Sequence, residues 1–211
     1  MKPIFVFLLR FLFLPFTGLF IDKIEGQENI PKGNNFIIAP NHLNGKDHYF
    51  IAYAFKEKLK DMRYVGAMDS LKIFLQSSPL YYFANTIIIY RKKESREQII
   101  SKIIKEIRKN RIIVIYPEGN SNSKDKLLRG KSGIAEIVKE KIPVLPIGIR
   151  AGKKGRIITI GKLMNFSKEI EKLKSLEKNQ EGYHLTLREI TDKIMCQLSV
   201  LSKKPYLYEK N

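Results

Sequence analysis

Short apolar runs alternate with amphipathic stretches along most of this chain. Phe36–Pro40 (FIIAP), Met62–Ala67 (MRYVGA), Asn85–Tyr90 (NTIIIY), Arg111–Tyr116 (RIIVIY), Val144–Arg150 (VLPIGIR) and Gly155–Gly161 (GRIITIG) are largely apolar, NTIIIY being rich in β-branched residues, and are predicted to be strands. Between them the spacing predicts helices over Asp47–Lys60, Ser70–Phe83 (broken near Pro79), Ser95–Asn110, Gly133–Lys141 and His184–Ser202. Ser95–Asn110 carries the clearest helical period. Ile99, Ile100, Ile103, Ile104 and Ile107 share one face, and Ser95 with Gln98 fits a capping box. Asp22–Asn35 is polar and punctuated by Gly and Pro, which predicts an extended lead-in and turn. Lys168–Gly182 is charged and reads as a solvated helix or excursion. Continuous apolar strands separated by helices argue for an α/β fold whose sheet is covered on both faces.

The N-terminus breaks this pattern. Ile4–Ile21 (IFVFLLRFLFLPFTGLFI) is almost wholly apolar, flanked by Lys2 and Lys23. Arg10 near its centre and Pro15 weaken it as a membrane-spanning helix. No small-x-small cleavage site follows, which argues against a removed signal peptide. An in-plane anchor with Arg10 snorkelling to lipid phosphates also fits. We expect residues 1–22 to be a retained membrane anchor, spanning or lying in one leaflet, and residues 23–211 to be one domain.

Composition narrows the partners. The chain has 211 residues, a net charge of +18 and a pI near 9.8. Such a charge predicts anionic partners, namely nucleic acid, an anionic membrane surface or an acidic carrier, although a compositional bias toward Lys and Ile would also explain much of it. The basic residues are scattered rather than striped between aromatics, so no nucleic-acid module is expected. A single cysteine, Cys196, excludes an intrachain disulfide and a Cys-based zinc site, and its place in an amphipathic helix predicts packing. There is no HExxH-type spacing, and no metal is expected. RGKSG (Arg129–Gly133) ends like a P-loop, but Asp125 stands where the first glycine belongs.

Three sites carry candidate chemistry, each just beyond an apolar run. His42 and Asp47 are separated by four residues including Gly45, which is expected to allow a tight turn that returns the carboxylate to the ring. An imidazole near neutral pKa can accept a proton, and a carboxylate on its other nitrogen would set the tautomer. Against this stands a simple helix start, with Asn44 as N-cap and Asp47 in the first turn. His48, next along a helix, points elsewhere and is read as structural. Glu118 and Gly119 lie in YPEGN (Tyr116–Asn120), where a carboxylate at the end of a hydrophobic strand needs partners. Arg91 ends the strand TIIIY and suits a phosphate.

Taken together, NHLNGKD, NTIIIYR, YPEGNSNS and IPVLPIGI resemble, in order, the four sequence blocks of the glycerolipid acyltransferase family, which contains bacterial 1-acylglycerol-3-phosphate acyltransferase. IEGQENIP (Ile24–Pro31) resembles its lead-in. The resemblance spans about Lys23–Arg150. It implies an acyltransferase-like α/β fold with a mixed, mostly parallel sheet. It further implies direct acyl transfer from acyl-CoA or acyl carrier protein to the free hydroxyl of 1-acylglycerol-3-phosphate, without a cofactor, giving phosphatidic acid at the cytoplasmic face of the membrane. His42 would be the base and Asp47 its orienting partner. Arg91, Glu118, Gly119 and Asn120 would hold the acceptor, and the apolar fourth block would contact membrane or acyl chain. Where the family has Arg in E-G-T-R-S, this chain has Ser121. That leaves open another lysophospholipid or an aminolipid as acceptor, and a non-catalytic, basic membrane-binding protein remains an alternative of a different class.

Overall fold

The structure, a computed structural model, describes residues 11–12, 14–68 and 86–208. Its strands are β1 (Ile21–Glu25), β2 (Ile37–Pro40), β3 (Met62–Ala67), β4 (Thr86–Ile89), β5 (Ile112–Val114), β6 (Val144–Ala151) and β7 (Arg156–Ile160). Its helices are α1 (Leu14–Gly18), α2 (Asp47–Ala54), α3 (Arg96–Ile107), α4 (Gly133–Val138), α5 (Ser167–Lys174) and α6 (Glu181–Ser202). The strands form one seven-stranded sheet in the order β1-β7-β6-β2-β5-β3-β4. Every neighbouring pair is parallel except the β6–β7 hairpin, so the sheet is mixed and mostly parallel, as expected.

Alternation along the strands builds two cores. Ile37 and Ile113 face one side with α3, α4, α5 and α6, while Ile38, Ile112 and Val114 face the other with α1 and α2. Burial on both faces is why the central strands read as unbroken apolar runs. The fourth block lies in β6, where Val144, Leu145, Ile147 and Ile149 are all 0% exposed. Those residues are sheet core. The expected contact of this block with membrane or acyl chain is corrected accordingly, since an interior strand presents neither face to lipid.

The capping box at Ser95 forms, with Gln98 N donating to Ser95 Oγ at 3.3 Å and Ser95 N to Gln98 Oε1 at 2.8 Å. The helix expected over Asp47–Lys60 stops at Ala54 and continues as a 3-10 stretch over Lys56–Asp61. The polar lead-in holds an unforeseen strand. β1 pairs with β7 at the sheet edge, and its charges pair locally, Lys23 with Glu25 at 2.9 Å and Thr159 Oγ1 with Glu25 Oε2 at 3.0 Å. An edge strand needs only one apolar side and keeps its polar residues in water, so it lacks the signature that reveals the central strands. Because β1 begins at Ile21, the last two residues of the expected anchor segment belong to the sheet. The expected solvated excursion at Lys168–Gly182 includes α5, which buries Ile170 and Leu173.

Residues 1–10 and 13 of the expected anchor lie outside the described residues, as do the whole helix expected over Ser70–Phe83 and the first residue, Asn85, of the strand expected before Arg91. Of the rest of the anchor, Leu14 is buried in α1 while Phe16, Leu19 and Phe20 are exposed. Among the described residues no helix is long and apolar enough to cross a membrane.

α6 closes one face of the sheet by lying on β6. Gly148 makes that approach possible, since a β-carbon there would come 2.3 Å from the Leu201 carbonyl carbon. Replacing Gly148 by Ala must push α6 off the sheet, and overpacking of this kind costs roughly 1–3 kcal/mol or more. Chemical denaturation of the Gly148→Ala protein is expected to show that loss with an unchanged m-value.

Candidate active site

The site begins where β2 ends. Asn41 is fully buried and extends the strand, its N–H donating to the Ile147 carbonyl at 3.2 Å. Its side chain imitates a further strand residue, with Nδ2 donating to the Ile149 carbonyl at 3.0 Å and Oδ1 accepting from Ile149 N at 2.6 Å. The first block is thereby locked onto β6 before the chain turns at His42.

His42 Nδ1 lies 2.9 Å from Asp47 Oδ2. The carboxylate is fully buried, while the imidazole side chain is 14% exposed. Asp47 Oδ2 also accepts the backbone N–H groups of Leu43 at 2.5 Å and Asn44 at 2.8 Å. Asn44 Oδ1 in turn accepts Lys46 N at 2.8 Å, and Asp47 N donates to the Asn44 carbonyl at 3.2 Å. The turn into α2 and the His–Asp pair therefore share one oxygen, whereas the expected N-cap at Asn44 is not found, since α2 starts after Lys46 with no side-chain cap bond. The bonds that return the turn onto the carboxylate also bring that carboxylate to the ring. A buried carboxylate at Nδ1 favours the proton there and leaves Nε2 as the acceptor. Gly45 is not what permits this turn, because its φ is not positive and a β-carbon would meet open space.

The loop after β5 holds His42 from the other side. Glu118 is 1% exposed. Its Oε1 accepts the His42 backbone N–H at 2.9 Å, and its Oε2 accepts Leu128 N at 2.8 Å and Asn122 Nδ2 at 3.4 Å. Asn122 N donates to the His42 carbonyl at 2.7 Å, so both peptide groups around His42 are fastened to this loop. The loop is secured beyond the site by Lys131 N on the Pro117 carbonyl at 2.8 Å and Leu127 N on the Pro205 carbonyl at 3.0 Å. Glu118 thus has its oxygens engaged by protein donors, which describes a positioning group.

Arg91, Gly119 and Asn120 come together at the exposed mouth. Arg91 Nη2 donates to the Gly119 carbonyl at 3.0 Å and Nη1 to Asn120 Oδ1 at 3.3 Å. Gly119 takes φ +73°, a region that favours glycine, and a β-carbon there would press on the Lys131 side chain at 3.2 Å. Ser121 is exposed and supplies no charge.

An aromatic wall backs the imidazole. His42 stacks on Tyr116, with centroids 4.1 Å apart and planes at 29°. The Tyr116 hydroxyl lies 3.0 Å from His48 Nδ1. Burial, with a smaller contribution from His42, pushes the His48 pKa down to about 3, so that ring is neutral near neutral pH. Burial and the Asp47 charge raise the Tyr116 hydroxyl well above its usual value. Asn41, Tyr116 and Asn122 lie within the sequence blocks, which by themselves assign them no role. Only Asn122 carried a sequence signal, as a polar side chain in a segment that must close over a buried carboxylate. Among the described residues no cluster of three or more His, Cys, Asp or Glu could hold a metal ion.

A family model described as "Acyltransferase" matches residues 22–150. Among solved structures, the fold resembles the crystal structure of the 1-acyl-sn-glycerophosphate acyltransferase from Thermotoga maritima, with a TM-score of 0.58 and 19% identity over 92% of this chain and 79% of that one. No curated protein sequence matches significantly.

Two outcomes follow from the geometry. Glu118→Gln replaces an acceptor oxygen by a donor facing a backbone N–H, at roughly 2–3 kcal/mol. Its thermal midpoint is expected to fall together with activity, whereas a residue that only binds acceptor would raise KM and leave the midpoint unchanged. The second concerns acid. His48 is neutral in the folded state and free to protonate when unfolded, so its stabilising contribution is complete above pH about 6.5 and declines as pH falls from there toward about 3. By linkage it accounts for roughly 2 kcal/mol of the stability lost between pH about 6.5 and about 4.5. Denaturation of wild type and His48→Gln across that range is expected to show a shallower decline in the variant.

Proposed function

The chain belongs to the Acyltransferase family, and from that premise we propose that it transfers a fatty acyl group from acyl-CoA or acyl carrier protein to the free hydroxyl of 1-acylglycerol-3-phosphate, giving phosphatidic acid. The observation that carries this reading is the His42 imidazole, held at Nδ1 by the buried Asp47 carboxylate, with no hydrogen-bond partner for Nε2 among the described residues.

In this reading Nε2 accepts the acceptor's hydroxyl proton as the oxygen bonds to the thioester carbonyl carbon. The C–S bond then breaks, and the departing thiolate takes the proton from the imidazolium. Asp47 keeps the Nδ1 proton in place and stabilises the transient positive ring. The reaction needs no acyl-enzyme, and no cofactor beyond the thioester donor enters this scheme. Arg91, at the mouth beside Gly119 and Asn120, suits the acceptor's phosphate. Ser121 favours a second acceptor class, another lysophospholipid or an aminolipid, because the family's Arg is absent there. The apolar N-terminal segment and the net charge of +18 support work at the cytoplasmic face of an anionic membrane.

The purified protein, assayed with both donor types and a panel of lysolipid acceptors, is expected to prefer lysophosphatidic acid. His42→Ala is expected to lower kcat by roughly 10²–10⁴-fold, in the range of general-base contributions. Asp47→Asn is expected to act in the same direction. Full activity of His42→Ala would remove the mechanism, and a preference for a different lysolipid would move the assignment to the second acceptor class.

A further inference from the structure

We propose that Tyr116 and His48 form a hydrogen-bonded support that positions the His42 ring, making His48 a positioning residue for proton transfer although it does not reach the substrate. The proposal rests on the acyl-transfer reading above for its kinetic expression, and on the geometry for its existence.

The Asp47 bond fixes one ring atom of His42, which leaves the ring plane free to swing about the Nδ1···Oδ2 line. Proton transfer from a hydroxyl depends on where Nε2 points, and misplacement of a catalytic group by about 1 Å can cost 10²-fold. Tyr116 blocks that swing by lying against the ring face. A phenol ring is itself held in place only if its far end is tied, and here the hydroxyl meets His48 Nδ1 at 3.0 Å.

His48 is well placed to serve as that tie. It directly follows Asp47 in the first turn of α2. Its ring stands edge-on to Tyr116 at 5.3 Å and 75° and to Tyr64 at 5.5 Å and 83°, and its carbonyl accepts the Tyr64 hydroxyl at 3.3 Å. Successive helical residues point about 100° apart. Asp47 and His48 therefore reach the same imidazole by two routes, one directly to Nδ1 and the other through Tyr116 to the ring face. Among the described residues, the titratable groups that face His48 are His42, Tyr64 and Tyr116, with Asp47 beside it in the chain. With its ring centroid only 5.8 Å from that of His42, the support must carry no positive charge where the base acquires one. A buried neutral imidazole meets that condition, whereas an ammonium would oppose it.

The test is a double-mutant cycle. Tyr116→Phe keeps the stack and loses the hydroxyl; His48→Leu keeps bulk and loses the hydrogen-bonding nitrogen. Each is expected to lower kcat roughly ten-fold with KM changed less than about two-fold, as for a misaimed base with intact substrate binding. The double variant is expected to be no slower than the slower single variant, and His48→Gln, which can still bond the hydroxyl, is expected to recover most of the rate. Thermal midpoints are measured alongside to give the folded fraction in each assay. The His42 Nδ1–H proton resonance is expected to be sharp in wild type and His48→Gln and exchange-broadened in Tyr116→Phe and His48→Leu. Unchanged kcat in both single variants, effects that multiply in the double variant, or losses that track the unfolded fraction would overturn the support. If the wild type shows no acyl transfer with any acceptor, the proposed reaction fails, and the Nδ1–H resonance still decides whether the support exists.

Discussion

A single buried carboxylate, that of Glu118, joins the two loops from which the site is made. It gathers the backbone N–H of His42, the backbone N–H of Leu128 and the side-chain amide of Asn122. Burying a charge without such donors would be prohibitive, and three donors converging on it are as costly to leave without their acceptor. The loop after β2 and the loop after β5 consequently fold around each other. His42 is aimed only when both are in place, and the bond from Asn122 N to the His42 carbonyl completes the constraint.

The four sequence blocks are linked by the same kind of bond. Asn41 of the first is fastened to Ile149 of the fourth, His42 to Glu118 and Asn122 of the third, and Arg91 of the second to Gly119 and Asn120 of the third. Each block follows or forms a strand of one mostly parallel sheet, and in such sheets the carboxyl ends of the strands converge on a common crevice. β6 carries no chemistry, yet its backbone supplies the template on which Asn41 is fixed, and its buried side chains fill both faces of the sheet.

Asp47 shows why one motif can satisfy two explanations. The same oxygen terminates the turn that starts α2 and accepts the imidazole. Asp47 Oδ2 gathers the N–H groups of Leu43 and Asn44 in the turn that leads into α2, and a carboxylate held in this way is already rigid. A turn closed on a carboxylate is therefore an economical place from which to fix an imidazole.

The central strands, the Ser95 cap and a helix-covered sheet were legible in the chain because a strand buried on both faces must be apolar throughout and a capping box is a local pattern, while its mixed, mostly parallel order was implied by the family resemblance. Edge strand β1 was not legible, since Ile21–Glu25 needs only one dry side and its polar residues mask it. The order and spacing of the blocks pointed to His42, Asp47, Arg91 and Glu118 as a group. The sequence by itself determined which residues could do chemistry, because side-chain type and distance along the chain are local properties. Only the tertiary structure decided what each one touches. Glu118 closes on backbone donors 76 and 10 residues away, His42 lies against Tyr116, and Tyr116 meets His48 across 68 residues of chain. Those contacts exist because the sheet brings the ends of β2 and β5 side by side, and no spacing within a motif encodes that adjacency.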